Sequence, residues 1–197
     1  MIAMRAVPAF PVLAVLAMGI SAVAAHAQQG FPGGAGSYAI SSRGSQIAFA
    51  VPQVGGGGIA GRFSSFEGEM TIDPSNVASS RVTISIFPAS VTTGKTRVDN
   101  FLRSNAVFDT AHEREIRFVS TRVLRTGERT ALIEGNLTAR GRTVPESFTA
   151  ELMNSSGRAI SFHVVGDVYR SPFGMDVGRP IYSNKVNFDM TLSGVRR

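Results

Sequence analysis

Apolar residues recur at every second position through most of this 197-residue chain. Ile47, Phe49 and Val51 alternate with smaller residues; Phe66, Gly68, Met70 and Ile72 alternate with Glu67, Glu69, Thr71 and Asp73; Val82, Ile84 and Ile86 alternate with Thr83 and Ser85. The same period returns at Ile116 and Phe118, from Ile133 to Leu137, at Phe148, Ala150 and Leu152, at Ile160, Phe162 and Val164, and from Val186 to Leu192. A period of two buries one face of a strand and wets the other, so the pattern predicts about eight strands. Turn residues separate them, as in Asp73-Pro74-Ser75-Asn76, Thr126-Gly127-Glu128 and Asn154-Ser155-Ser156-Gly157. One segment departs from the rule. Residues 98–107 (VDNFLRSNAV) space their apolar side chains as a helix does, with Asp99 placed as the N-cap of a short helix.

Eight antiparallel strands and one short helix predict an all-β domain, either a closed barrel or a sandwich, because closure removes exposed strand edges. No alternation of helix and strand points to a parallel sheet. Before these strands, residues 1–5 carry one positive charge, residues 6–25 are almost wholly apolar, and Ala25-His26-Ala27 supplies an A-x-A cleavage site. That order reads as a signal peptide over residues 1–27, and Pro8, Pro11 and Gly19 suit processing better than an uncleaved membrane anchor. Residues 28–37 (QQGFPGGAGS) read as a flexible tether, and residues 38–197 as one domain. The expected location is the periplasm or the exterior, after cleavage near Ala27.

Composition then narrows the chemistry. Cysteine is absent, which excludes a disulfide framework, a zinc-thiolate site, a cysteine nucleophile and a lipoprotein signal. Lysine occurs only at Lys95 and Lys185, and arginine supplies the other positive charges. The basic excess could track nucleic acid, but its distribution argues otherwise. Arginines stand beside glutamates, as in Glu113-Arg114-Glu115 and Glu128-Arg129, and the longest basic run is Arg196-Arg197. No nucleic-acid partner is expected.

The stretch Val54-Gly55-Gly56-Gly57-Gly58-Ile59-Ala60-Gly61-Arg62-Phe63 contains a formal G-x-G-x-x-G. That fingerprint binds a pyrophosphate only where its glycines lead into a helix, and here they lead into strand. A P-loop also fails, because Arg62-Phe63 stands where Lys and Ser/Thr would be needed. The loop reads instead as a flexible hairpin at a barrel rim. No G-x-S-x-G elbow occurs. His163 lies on a strand and reads as structural or as a surface residue; His112 sits in a charged loop without metal-ligand spacing; Asp109 and Asp176 read as turn residues before they read as an acid-base pair. No enzyme activity, catalytic residue, metal or cofactor is expected.

From about Ser37 to Val195 the chain resembles the YceI family of exported, lipocalin-like lipid-binding proteins. Ile47-Ala48-Phe49-Ala50-Val51, then Gly61-Arg62-Phe63 and Phe66-Glu67-Gly68, resemble the family's V-x-F-x-V … G-x-F-x-x-F-x-G. Thr92-Thr93-Gly94, Arg97-Val98-Asp99 and Phe101-Leu102-Arg103-Ser104 are similar to S-x-x-T-G-x-x-x-R-D-x-H-L-R-S. Phe108-Asp109 with Ile116-Arg117-Phe118, and Gly135-Asn136-Leu137-Thr138 with Gly141, Thr143 and Pro145, follow in family order; Arg170-Ser171-Pro172-Phe173-Gly174-Met175 precedes the last strand. The chain departs from the family at Pro52-Gln53, Phe101, Ala106, Arg114 and Pro172, which makes its rim more apolar.

The resemblance implies an eight-stranded antiparallel lipocalin-like barrel whose apolar cavity takes a long isoprenoid lipid, such as a polyprenyl chain or a prenylated quinone. It implies binding, storage or transport, with membrane contact during exchange and a homodimer as further expectations. Thirteen phenylalanines against three tyrosines and no tryptophan suit a hydrocarbon-lined wall. The expected wall is Ile47, Phe49, Phe66, Met70, Ile84, Phe118, Leu137, Phe148, Phe162 and Phe188; the expected mouth is Phe101, Leu102, Phe108 and Phe173, with Arg62 and Arg103 near a polar head group. The alternatives are a packed barrel serving as a protein-binding or stress-response module, and a lipid-modifying enzyme.

Overall fold

The computed structural model describes residues 31–197. The expected signal peptide and the first residues of the expected tether lie outside the described residues. Eleven strands form: β1 (Gly36–Ser41), β2 (Gln46–Pro52), β3 (Gly58–Phe63), β4 (Phe66–Ile72), β5 (Arg81–Ile86), β6 (Val91–Thr92), β7 (Ile116–Arg125), β8 (Thr130–Ala139), β9 (Arg142–Ser156), β10 (Ala159–Tyr169) and β11 (Lys185–Arg196), with one helix, α1 (Thr96–Arg103).

These eleven segments make eight barrel strands. β1 and β2 pair with successive parts of β11, β4 pairs with β1 while β3 pairs with β2, and β5 pairs with β4 while β6 pairs with β3. Each of those three pairs of segments is therefore one strand broken in the middle. β5 continues through β7, β8, β9 and β10 to β11, which closes the antiparallel barrel on β1. The three breaks lie side by side, and serines restore the bonds that the ladder loses there. Ser193 N–H donates to Ser45 Oγ, and Ser65 N–H donates to Ser90 Oγ.

The inner face carries the predicted alternation, and buried residues from all eight strands form one core. The lower end holds residues 31–35, residues 73–80 and the turns after β7 and β9. The upper end holds residues 53–57, the segment from residue 87 to 115 that includes α1, the turn after β8, and residues 170–184.

Two local expectations are corrected. Within the expected tether, Phe31 is buried; its N–H donates to Pro74 O at 2.9 Å and its ring stacks on Phe162 at 6.4 Å. Helix α1 begins at Thr96, and Asp99 sits inside its first turn rather than at the N-cap. From there the carboxylate accepts from Thr93 N–H and Thr93 Oγ1, both at 2.7 Å, so it organises the loop before the helix. The glycine loop is the expected hairpin between β2 and β3 at the upper rim, and its base is bonded to the loop before β11: Val54 N–H donates to Ile181 O at 2.9 Å and Ser183 N–H to Pro52 O at 2.8 Å. Glycine is required at Gly58, where φ is +138 and a Cβ would lie 2.3 Å from Val51 O.

Candidate functional site

The inward side chains leave a cavity of about 190 Å³ along the barrel. Phe31, Val77 and Ser80 bound it below; Leu102, Val107, Phe108, Phe173 and Met175 bound it above. Every residue of its wall is apolar except Ser80 and Arg170. Counting roughly 10–15 Å³ for each water-sized group, it has room for at least about a dozen carbons. Such a space stays dry unless polar groups offer water partners, and these walls offer almost none.

Nine of the expected wall residues face this cavity: Ile47, Phe49, Met70, Ile84, Phe118, Leu137, Phe148, Phe162 and Phe188. Phe66 is buried but lies outside the cavity wall, opposite Ile86 at the start of β4. Among the expected mouth residues, Leu102, Phe108 and Phe173 line the upper end, whereas Phe101 is 41% exposed on another side of α1. Four of the phenylalanines mark two aromatic contacts in the wall. Phe118 meets Phe148 edge-on at 5.3 Å, and Phe49 tilts against Phe63 at 5.4 Å.

Neither of the two expected arginines lines the cavity. Arg62 stands on the outer face of β3, between Ala48 and Thr92 on the neighbouring segments. Arg103 donates to Ala89 O at 2.8 Å and Val91 O at 2.6 Å, which fastens α1 to β6. The cation that does face the cavity is Arg170, which sequence reasoning placed only within a motif. Continuing the inward series of β10 by two residues from Val168 would have found it. Its guanidinium donates to the carbonyls of Ser183, Met175, Val177 and Tyr182 and so shapes residues 175–183. Burial lowers its pKa, Asp176 raises it and Arg179 lowers it, and an arginine stays charged regardless.

The polar residues weighed for catalysis are dispersed. His163 pairs with Asp189 at 3.0 Å on the outer face, His112 pairs with Asp109 at 3.0 Å, and Asp176 pairs with Arg179 at 2.9 Å. Among the described residues, no group of three or more His, Asp or Glu is placed to hold a metal.

A closed antiparallel barrel with an apolar interior places the protein in the lipocalin-like class of small barrels that can hold one ligand. The YceI-like domain matches residues 38–194, and the chain belongs to the YceI family. A UPF0312 protein of Photorhabdus laumondii is 30% identical over 155 residues, covering 76% of this chain and 80% of the relative. Protein YceI of Escherichia coli is 28% identical over 156 residues, covering 77% and 81%. Among solved structures, BcnA of Burkholderia cenocepacia superposes with a TM-score of 0.73 at 20% identity, covering 78% of this chain and 98% of that one. A polyisoprenoid binding domain from Saccharophagus degradans superposes with a TM-score of 0.66 at 16% identity, covering 81% and 98%.

Proposed function

We infer that this protein binds an isoprenoid lipid inside the barrel and stores or carries it in the periplasm after removal of the signal peptide. The observation that carries this reading is the cavity itself, apolar in wall and running between the two ends of the barrel. A structural neighbour described as a polyisoprenoid binding domain supports the class of ligand. Burying about a dozen carbons at roughly 0.8 kcal/mol each releases on the order of 10 kcal/mol. Association takes back about 4 kcal/mol at the low end, which leaves about 6 kcal/mol, or binding in the tens of micromolar, without a charged anchor. The reading requires no catalytic residue, and loading or unloading involves brief contact with a membrane.

The test is native mass spectrometry of protein purified from the periplasm without detergent, followed by organic extraction of whatever is released. A stoichiometric isoprenoid lipid supports the carrier. An apo mass that stays unchanged when isoprenoid lipids are added would refute it and favour a barrel that serves as a protein-binding scaffold.

A further inference from the structure

The barrel wall has a seam. Pairing between β9 and β10 runs up from Ser156 and Ala159 and stops at Thr149 and Val165. Above that point β9 pairs only with β8, and β10 only with β11. Pro145 lies in the unpaired half of β9, as expected of a residue without an N–H, which ladders admit only at an edge. Arg142 Nη1 donates to Pro172 O at 3.2 Å and bounds the seam from above.

Glu146 sits on this unpaired stretch, opposite Gly135 of β8. The burial alternation of β9 puts it on the inner face with Phe148 and Ala150, and among the described residues no other strand carries an acidic residue at an inner position. It makes no hydrogen bond or ion pair with any described residue. Phe148 and Ala150 below it, and Leu137 and Ala139 farther up the paired β8, belong to the cavity wall, so Glu146 stands at the edge of that wall where the seam interrupts it. Aromatic rings crowd the wall beside it. A Cβ on Gly135 would lie 2.5 Å from Phe118 Cζ, and one on Gly166 would lie 2.5 Å from Phe148 Cδ1. Burial raises the pKa of the Glu146 carboxyl, as expected of an acid without compensating donors.

We propose that Glu146 binds the polar end of the lipid and selects an uncharged hydroxyl over a phosphate or carboxylate. This rests on the carrier reading. A tail in the cavity brings its head to this gap in the wall, where Glu146 is the polar inner residue. A hydroxyl there donates a short charge-assisted bond to the carboxylate, or shares a proton with the carboxylic acid. An anionic head meets a like charge beside apolar side chains. Arg170 does not offset that charge, because its donors already go to four carbonyls.

The test compares farnesol, farnesyl phosphate and the corresponding deoxy hydrocarbon as competitors for a fluorescent apolar probe, using the wild type, Glu146→Leu and Glu146→Gln. The wild type is expected to prefer farnesol to either competitor by about tenfold, the size of one well-made hydrogen bond. Glu146→Leu should equalise farnesol and the hydrocarbon while leaving hydrocarbon affinity within about twofold of wild type. Glu146→Gln keeps hydrogen-bonding capacity without charge, so it should keep the alcohol preference and gain affinity for the phosphate. A farnesol preference that survives in Glu146→Leu, or a wild type that prefers the phosphate, overturns the assignment. Binding of the hydrocarbon without discrimination overturns this assignment alone, whereas no binding of any competitor overturns the carrier reading.

Discussion

Ala150 offers a way to decide whether the barrel interior is a ligand space or a packed core. Its side chain is buried, lines the cavity and faces Ala131 and Val164 on the flanking strands. Ala150→Leu adds three carbons there. If the space is empty in the apo protein, burying them gains about 2.4 kcal/mol, less about 0.5–1 kcal/mol of lost rotamer freedom. The same three carbons remove room for three carbons of ligand, a loss of about 2.4 kcal/mol or roughly 50-fold in affinity. The variant should thus be about 1.5 kcal/mol more stable in urea and bind farnesol roughly 50-fold more weakly in a displacement assay. A packed core responds otherwise, since forcing carbons into it costs about 1–3 kcal/mol. Lower stability in the variant, or unchanged affinity for farnesol, would refute the ligand space.

Arg62→Ala should leave the binding of charged and neutral lipids alike unchanged in the same assay, because Arg62 stands on the outer face. Arg170→Lys should cost about 3 kcal/mol in urea unfolding, since one ammonium cannot reach the carbonyls that the guanidinium fork serves. The Thr93 hydroxyl, ahead of the Thr93 N–H and Thr92, holds Asp99 below the ordinary carboxylate pKa, against the opposing effect of burial. Its contribution is present above the unfolded-state pKa and is lost as pH falls through the depressed value, so Asp99→Asn should be less stable at neutral pH and show a shallower loss of stability in acid, read from urea midpoints between pH 7 and 3. Amides of β9 and β10 that face the seam should exchange hydrogen faster than those of the same strands below Thr149 and Val165, and mass spectrometry of peptides from both regions measures the difference.

Much of the wall was legible because strand period alone decides which side chains share a face. Nine of the ten expected wall residues follow it into the cavity, and Phe66 fails because it begins its segment just after the break at residues 64–65. That break, like those at residues 42–45 and 87–90, comes from the meeting of three strands and has no local signature beyond its serines. Strand β1 was hidden for a related reason: Tyr38 and Ile40 alternate too briefly to stand out beside a glycine-rich stretch. Phe31 was misread because composition speaks for a whole segment, whereas a single ring needs only one hydrophobic neighbour such as Phe162. The arginines were not legible. A helix turn of 100° separates Leu102, which lines the cavity, from exposed Phe101, and the carbonyls that occupy Arg103 belong to residues 89 and 91.

The arginine-rich composition acquires a physical reason at the upper end of the barrel. Residues 87–115 and 170–184 are largely irregular, so many of their carbonyls have no ladder or helix to bond them, and buried carbonyls need partners. Arg103 serves Ala89 and Val91, Arg140 serves Val107 and Gly174, Arg142 serves Pro172, and Arg170 serves four more. Arginine suits this work better than lysine, because a planar fork reaches several acceptors at once while its charge stays fixed. In a chain without cysteine, these forks take the place that disulfides would hold in tying irregular loops together. Arg170 consequently meets the cavity with its donors turned toward protein carbonyls, and what the wall offers a ligand is hydrocarbon contact. Selectivity for a polar end then has to come from a residue outside that wiring, and at the upper half of the barrel Glu146, at the unpaired seam, is an inward side chain that stands outside it.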